Sequence, residues 1–559
     1  VQQTIEPVLI VGGGPVGLAL AGDLGWRGIG CTLIEQSDGS IYQPRMDLVG
    51  IRTMEFCRRW GLVPAVEASP YPRDYAQDNI YLTSLTGYEL GREHFPGIGQ
   101  APPPKESPQR RERCPQNMFD PILRAFAASQ PGVRMRYRTR LVSFTQNAGQ
   151  VTATVENAET GAREQISARY IVGCDGARSL VRETLGIRMH GNPVLTYTTN
   201  VIFRCPDLLS LHDKGKAYRH ILIGPEGTWA TIVAINGRDQ WRFSLIGGAE
   251  QRDYTTEEIA AAIRRAVGRD FAFEILSVLP WVRRELVAET YRNGRGFIAG
   301  DAAHVMSPTG GFGMNTGIGD AVDLSWKLAA TLEGWGGDGL LDSYTVERQP
   351  VGARNVAEAS GNLRRMLSVG QHPDIADDSP QGAATRARVG REFMATMQRE
   401  WFTLGIHLGY RYENSPICWP DGSPAPPDDP KTYAPVARPG HRAPHAFLDD
   451  GRSTLDLFGR GFALLGFGAE PEETRPLLDA AQQRKVPVTF VAIGEPQVAA
   501  LYERRFVLVR PDGHVAWRGD RIPDQPLRLI DIVRGAMQAP AAKAKAVGWA
   551  ERERNPSPT

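Results

Sequence analysis

Cysteine and net charge are both scarce in this chain. Six cysteines (Cys31, Cys57, Cys114, Cys174, Cys205, Cys418) are scattered over 559 residues, with no CxxC pair and no metal-ligand spacing against the ten histidines. This excludes a disulfide scaffold and predicts no metal site, and it fits a reduced, cytoplasmic setting. Basic residues number 64 and acidic residues 63, so the formal charge is only +1 and gives no electrostatic footprint for nucleic acid or an anionic membrane. No apolar run reaches the ~18 residues of a spanning helix, and no basic segment with an apolar signal core opens the chain. The missing initiator methionine reads as a processed or trimmed start. Length and a 42% hydrophobic content are ample for several buried cores.

Glycine, by contrast, is abundant and patterned. In "EPVLIVGGGPVGLALAGDL", an apolar strand (Val8 to Val11) turns into a small-residue helix through Gly12, Gly14 and Gly17. Glycine there lets the backbone approach a pyrophosphate, whose charge is favoured by the exposed N–H groups and dipole of a helix N-terminus. Glu35 ends the next apolar strand, "CTLIE", where an acid can accept hydrogen bonds from an adenosine ribose. The GxGxxG turn alone does not distinguish NAD from FAD. Two further strands end in glycine–aspartate pairs, "YIVGCDGARSLVRETLGI" with Asp175 and Gly176, and "GRGFIAGDAAHVMSPTGGFGMNTGIGD" with Gly300 and Asp301.

With these three turns in this order, the chain resembles the group A flavoprotein monooxygenases, the family of para-hydroxybenzoate hydroxylase and phenol hydroxylase. In that family the DGxxSxxR element, matched by Asp175, Gly176, Ser179 and Arg182, faces the dinucleotide, and the GD element, matched by Gly300 and Asp301, sets its carboxylate on the FAD ribityl chain. Pro308, Gly310, Gly311, Gly313, Met314 and Asn315 match the PxGGxGMN turn, whose amides face the flavin pyrimidine edge. Physical chemistry agrees: reduced flavin is anionic near N1, and a glycine-rich helix start offers it unencumbered donors.

The resemblance implies an α/β fold: a Rossmann-type FAD-binding domain, an inserted antiparallel-sheet substrate domain, and a C-terminal thioredoxin-like α/β domain. The expected boundaries are 1–187 and 291–415 for the FAD domain, 188–290 for the substrate sheet, 416–437 for a proline-rich linker, 438–540 for the thioredoxin-like domain and 541–559 for a tail. Period-2 alternation in "TYTTNVIFRC", "YRHILIG", "TWATIVAI" and "DQWRFSLIG" is what marks the sheet. No cysteine follows Cys418, so the last domain cannot run a dithiol cycle and reads as packing or oligomer contact, with a homodimer left open. Pro471 stands where a second GxGxxG would need its third glycine, so NAD(P)H is expected to visit the flavin without a Rossmann domain of its own.

The segment "QPRMDLVGIRTMEFCRRWG" matches the element after the second strand of phenol-type hydroxylases. Arg45 stands where an arginine lies over the flavin, and Asp47 where phenol hydroxylase has its catalytic aspartate. As a base accepting a phenolic proton of pKa near ~10, Asp47 requires a desolvated pocket that raises its own pKa. As a bystander it is a solvated loop acid. Gln116 matches a glutamine near the flavin. Arg110, Arg111 and Arg113 form a basic cluster, read either as a solvated loop or as a site for nicotinamide phosphates. On the presumed pocket roof, Tyr218, His220, Trp229 and Trp241 are candidate substrate contacts, against a reading as core packing. His304, after the GD turn, reads as structural.

The implied activity is hydroxylation of a phenolic aromatic compound, ortho to its hydroxyl, with FAD as cofactor, NADH or NADPH as reductant, and molecular oxygen entering through a flavin C4a-hydroperoxide. A reductase or dehydrogenase of the same superfamily, and a non-enzymatic flavin carrier, are the competing readings. Oxygen uptake stimulated by a phenol separates them.

Overall fold

A computed structural model describes residues 5–248 and 250–540; the expected tail at 541–559 lies outside the described residues. The nucleotide sheet runs in the order Gly296–Ile298, Arg163–Gly173, Glu6–Val11, Cys31–Ile34, Val133–Arg136, all parallel, with a two-residue strand, Arg292–Asn293, on one edge. Strands buried on both faces are continuous apolar runs, and Val8 to Val11 and Cys31 to Ile34 are buried throughout. The helix Pro15–Trp26 covers one face and packs against the helices Gln116–Ala128 and Gly313–Leu332. An antiparallel ribbon, Thr139–Gln146 with Val151–Asn157, extends the strand Arg163–Gly173 away from the nucleotide turns.

The second sheet has eight strands and forms the roof over the nucleotide turns. Its order is His304–Val305, Glu274–Ala288, Met189–Arg204, Gln240–Ile246, Gly227–Ala234, Arg219–Gly224, Asn79–Leu82, Glu89–Glu93. Two features depart from expectation. The strands at 79–93 come from the segment assigned to the first FAD portion, and Asn79–Leu82 pairs in parallel with Arg219–Gly224. Both follow from a long-range pairing that carries no local signal. The helix Thr256–Val267, opened by a capping box between Thr255 and Glu258, packs its Ile259, Ile263 and Ala266 on the outer face of this sheet.

The later part of the returning FAD segment forms the helices Ser343–Leu367, Pro380–Trp401 and Leu404–Leu408. The proline-rich segment that follows forms neither helix nor strand, yet it is held: Ile417 and Cys418 are buried, and Trp419 N–H donates to the Ala516 carbonyl at 2.8 Å. The last unit is a four-stranded sheet in the order Val488–Ile493, Phe462–Phe467, Phe506–Val509, Val515–Gly519. Its first two strands are parallel across the helix Pro471–Gln483, and its last two form a hairpin around Asp512 and Gly513. Pro471 is the first residue of that helix, where a missing N–H costs nothing.

This unit clamps the helix Ile51–Arg59, which begins just beyond Asp47. Arg442 pairs with buried Glu55, Arg52 donates to the Asp512 carbonyl at 2.8 Å, and Arg58 holds Asp456 at 2.7 Å. Burial would raise the Glu55 pKa, but Arg442 and Arg52 overcome it and hold it down at about 2.

Candidate active site

One cavity of about 960 Å³ lies between the nucleotide turns and the roof. Its floor contains two helix N-termini without side-chain caps, Pro15–Trp26 after Gly14 and Gly313–Leu332 after Phe312. Their unsatisfied amides and dipoles favour an anion. The glycines of the first turn serve different ends. Gly12 has φ +109°, and a Cβ there would stand 2.4 Å from the Cys174 carbonyl oxygen; at Gly17 it would stand 2.0 Å from that of Gly12. These two are required by packing. A Cβ at Gly14 would meet nothing within 4 Å, in a backbone conformation open to any residue, so no protein contact explains that glycine and the cavity does. Glu35 accepts the Gly13 N–H at 2.7 Å while lining the same cavity.

The two glycine–aspartate turns are braced from behind. Asp175 accepts from the Ser179 hydroxyl and the Val181 N–H, Ser179 caps the next short helix, and Arg182 donates to the Ala177 and Ala302 carbonyls. The DGxxSxxR side chains therefore tie one turn to the other. The GD turn is fixed by buried Asp320, which accepts from Gly300 N–H at 3.1 Å, His304 at 2.7 Å and Arg348 at 2.8 Å. His304 is part of this brace. Asp301 opens onto the cavity, and enclosure by protein raises its carboxyl pKa above the ordinary range. The Asn315 side chain is fully used within the protein: it accepts from Gly50 N–H and Thr53, and donates to the Leu48 and Gly311 carbonyls. It sets the Asp47 segment against the Pro308–Met314 turn. Gln116 does similar work, accepting Arg45 N–H at 3.1 Å and donating to Asp120 at 3.1 Å.

These features fit FAD: open backbone at Gly14, an acid at the end of the second strand, a carboxylate at the GD turn, and an uncapped helix at Gly313 and Met314. Arg45 extends over the cavity with its guanidinium 5.6 Å from the Trp281 ring of the roof, joining floor and roof by a cation–π contact.

Asp47 stands where floor meets roof. A short antiparallel pairing of Leu48–Val49 with Glu112–Arg113 brings distant residues beside it. Arg113 donates to its Oδ1 at 2.9 Å, the Tyr218 hydroxyl donates to its Oδ2 at 2.6 Å, and Arg242 stands 3.6 Å away. Burial alone would raise the carboxyl pKa, as the base reading requires. Arg113, Arg242 and the Tyr218 hydroxyl outweigh it and hold it below its ordinary value. Burial pushes the Tyr218 phenol up. The basic cluster is neither a solvated loop nor a free phosphate site: Arg110 pairs with Glu67 and Glu112, Arg113 with Asp47, and Arg111 donates to the Trp401 carbonyl.

Of the four expected roof contacts, the structure brings only Tyr218 to the cavity. His220 and Trp241 are wholly buried and Trp229 is 6% exposed. The two tryptophans pack among Phe203, Phe243 and Ile263 on the far face of the sheet, while His220 faces His212. The cavity face is polar instead, presenting Thr198, Asn200, Thr231, Arg242 and Ser244. Trp281, Arg283 and Glu400 line it too and were not anticipated; only the alternation around Trp281 in "LSVLPWVRREL" could have signalled the first two.

Against this geometry, residues 6–359 match the FAD binding domain family model and residues 436–540 the model of the aromatic-ring hydroxylase C-terminal domain. The chain belongs to the group A flavoprotein aromatic hydroxylases. A putative polyketide hydroxylase of Streptomyces halstedii is 36% identical over 540 residues, covering 92% of this hydroxylase and 93% of the relative. The solved rebeccamycin biosynthetic enzyme RebC with reduced flavin is 41% identical with a TM-score of 0.88, covering 96% of this chain and 100% of its own. The monooxygenase PieE, solved with FAD and substrate, is 30% identical with a TM-score of 0.86, covering 95% and 99%. The hydroxylase is thus a FAD-dependent monooxygenase of aromatic compounds. Among its described residues no helix is long and apolar enough to cross a membrane.

Proposed function

We propose that the chain hydroxylates a phenolic ring, ortho to its hydroxyl, at the expense of NADH or NADPH. The observation that carries this reading is the Asp47 constellation, a carboxylate, a phenol and two guanidiniums meeting at the junction of floor and roof. FAD, when bound, supplies hydride acceptance from the reduced nicotinamide and oxygen transfer to the ring.

The residues of the chain govern the substrate's proton. Phenols ionise near pKa ~10, and an adjacent cation favours the phenolate. Arg113 and Arg242 supply that cationic field. Asp47, held ionised, accepts the substrate hydroxyl's proton directly, or through Tyr218, which takes that proton as it passes its own to Asp47 Oδ2. Its pKa is depressed, so Asp47 depends on the arginines, which stabilise the phenolate as the proton leaves. The buried setting keeps these charges unscreened.

A panel of phenols tests the reading through stimulated NADH and NADPH oxidation, with oxygen uptake and hydrogen peroxide measured together. Phenol-dependent oxygen consumption that exceeds peroxide release supports it. Oxidation of reduced nicotinamide with a changed organic product and no oxygen consumption would favour the reductase reading.

A further inference from the structure

Deeply buried acids of this protein are matched by cations: Asp23 by Arg27, Glu55 by Arg442, Asp320 by Arg348, Glu347 by Arg510. Asp120 is different. It is 1% exposed and accepts a hydrogen bond from Gln116 Nε2 at 3.1 Å, while its Oδ1 is buried with no partner among the described residues. A buried carboxylate without a counter-ion is costly, and a carboxyl so placed keeps its proton instead. Burial pushes the Asp120 carboxyl up to about 7, against smaller opposing pulls from the Gln116 amide and Arg124.

The surrounding groups leave that charge unanswered. Arg124, one turn along the same helix, directs Nη2 to the Gly39 carbonyl at 2.5 Å and lays its guanidinium 4.6 Å from the centre of the Tyr137 ring. Cys114, just before the helix, and Tyr137, just after the strand Val133–Arg136, are both pushed up by burial and stay neutral. Glu35, the remaining charge acting on Tyr137, is negative.

Gln116, Asp120 and Arg124 recur every four residues and so form one stripe of the helix Gln116–Ala128. The two outer members of the stripe hold the segment 36–47, which has neither helix nor strand. Arg124 holds it at Gly39, and Gln116 holds its far end: the Gln116 N–H donates to the Met46 carbonyl at 2.9 Å, and Oε1 accepts the Arg45 N–H at 3.1 Å. Asp120 Oδ2 takes the other end of the Gln116 amide and thereby keeps its oxygen turned toward Arg45. Gln116 and Arg45 border the cavity, and Arg45 is close enough to Asp301 to lower its carboxyl pKa. Asp120 therefore sits one helical turn behind the wall that FAD would occupy. FAD brings an anionic pyrophosphate, which a carboxylate behind that wall repels and a carboxylic acid does not.

We propose that Asp120 takes up a proton from solvent when FAD binds, and that the neutral acid, through Gln116, sets Arg45 over the dinucleotide. It is a positioning residue, independent of which ring the enzyme hydroxylates. The FAD-bound pKa lies above the flavin-free value of about 7, so affinity is complete below that value and is lost as pH rises through the bound pKa.

The full chain, stripped of flavin, is titrated with FAD by calorimetry from pH ~6 to ~9 in buffers of different ionisation enthalpy, which counts the protons taken up. The wild type is expected to take up about half a proton near pH ~7.5 and almost none near ~6, with its Kd for FAD rising roughly tenfold across the range. Asp120→Asn keeps an acceptor for Gln116 and is expected to bind FAD without proton uptake, at a Kd that stays near the wild-type value at low pH. Asp120→Leu leaves Gln116 Nε2 unheld and is expected to show no uptake and weaker binding at every pH. Wild-type binding without proton uptake overturns the proposal. Uptake that persists in Asp120→Asn also overturns it and assigns the proton to Asp175 or Asp301, whose carboxyls burial also raises. Wild-type affinity in Asp120→Leu at low pH defeats the positioning role. Should Asp120→Asn fail to fold, the wild-type proton count and Asp120→Leu decide.

Discussion

The two faces of the roof sheet are built from the same strands and do opposite work. On the outer face Phe203, Trp229, Trp241 and Phe243 are closed over by the helix Thr256–Val267. On the inner face, one residue along each strand, Thr198, Asn200, Arg242 and Ser244 border the cavity. In a flavoprotein whose substrate is aromatic, the aromatic face is the core and the polar face is the site. The largest apolar side chains go where burial is complete, and an enclosed cavity that must hold charge and orient a ring needs donors and acceptors.

Substitutions on either face, and at the floor below, break or sharpen this contrast. The largest effect is expected at Asp47. Asp47→Asn should keep FAD bound and reducible but slow hydroxylation by roughly 10²–10⁴-fold, with reduced nicotinamide wasted as hydrogen peroxide. The deficit should shrink as pH rises toward ~10, where a phenol ionises in solution. Stopped-flow product formation with peroxide counting measures both. On the outer face, Trp241→Ala should cost about 3–5 kcal/mol of stability while the folded fraction keeps its kcat/KM, because this ring touches only core and the Cys205 carbonyl. Denaturant unfolding beside steady-state kinetics checks it, and a selective loss of KM would return Trp241 to the site.

At the floor, Gly14→Val should yield a chain with native far-ultraviolet circular dichroism and little bound flavin, since no protein atom lies within 4 Å of the added Cβ. Normal flavin content would remove the first glycine turn from cofactor binding. On the inner face, Ser244→Ala breaks only a 2.7 Å hydrogen bond to Asn200, so stability should fall by about 1 kcal/mol or less, with KM moving more than Tm.

Acid should loosen the clamp on the Asp47 segment. The folded-state pKa of Glu55, about 2, lies below its unfolded value near 4.5. Its contribution is therefore complete above pH ~4.5 and is lost as pH falls toward about 2. Glu55→Gln should flatten that part of the stability profile measured by unfolding against pH.

The nucleotide half was legible because its chemistry is local. Gly12, Gly14 and Gly17 follow one strand into its helix, and Glu35, Asp175 and Asp301 each stand just past the end of another, where the turn geometry is written in adjacent residues. The roof showed its alternation but not its orientation. Period 2 separates Trp241 from Arg242 without saying which of them meets a helix, and the apolar side of Thr256–Val267, which decides it, lies later in the chain. The partners of Asp47 were illegible for another reason. Arg113 reaches it through a two-residue pairing across 66 residues, and Tyr218 across 171. The expected rise of the Asp47 pKa therefore failed: burial was foreseen, and the arginines that overcome it were not.

Turnover of a phenol that stimulates reduced-nicotinamide oxidation, carried out under ¹⁸O₂ with mass analysis of the product, tests the central claim most directly. One ¹⁸O atom placed on the ring carbon beside the phenolic hydroxyl, with oxygen and reduced nicotinamide consumed in equal amounts, is the predicted result. A product formed without ¹⁸O, or turnover that proceeds unchanged in the absence of oxygen, would contradict it.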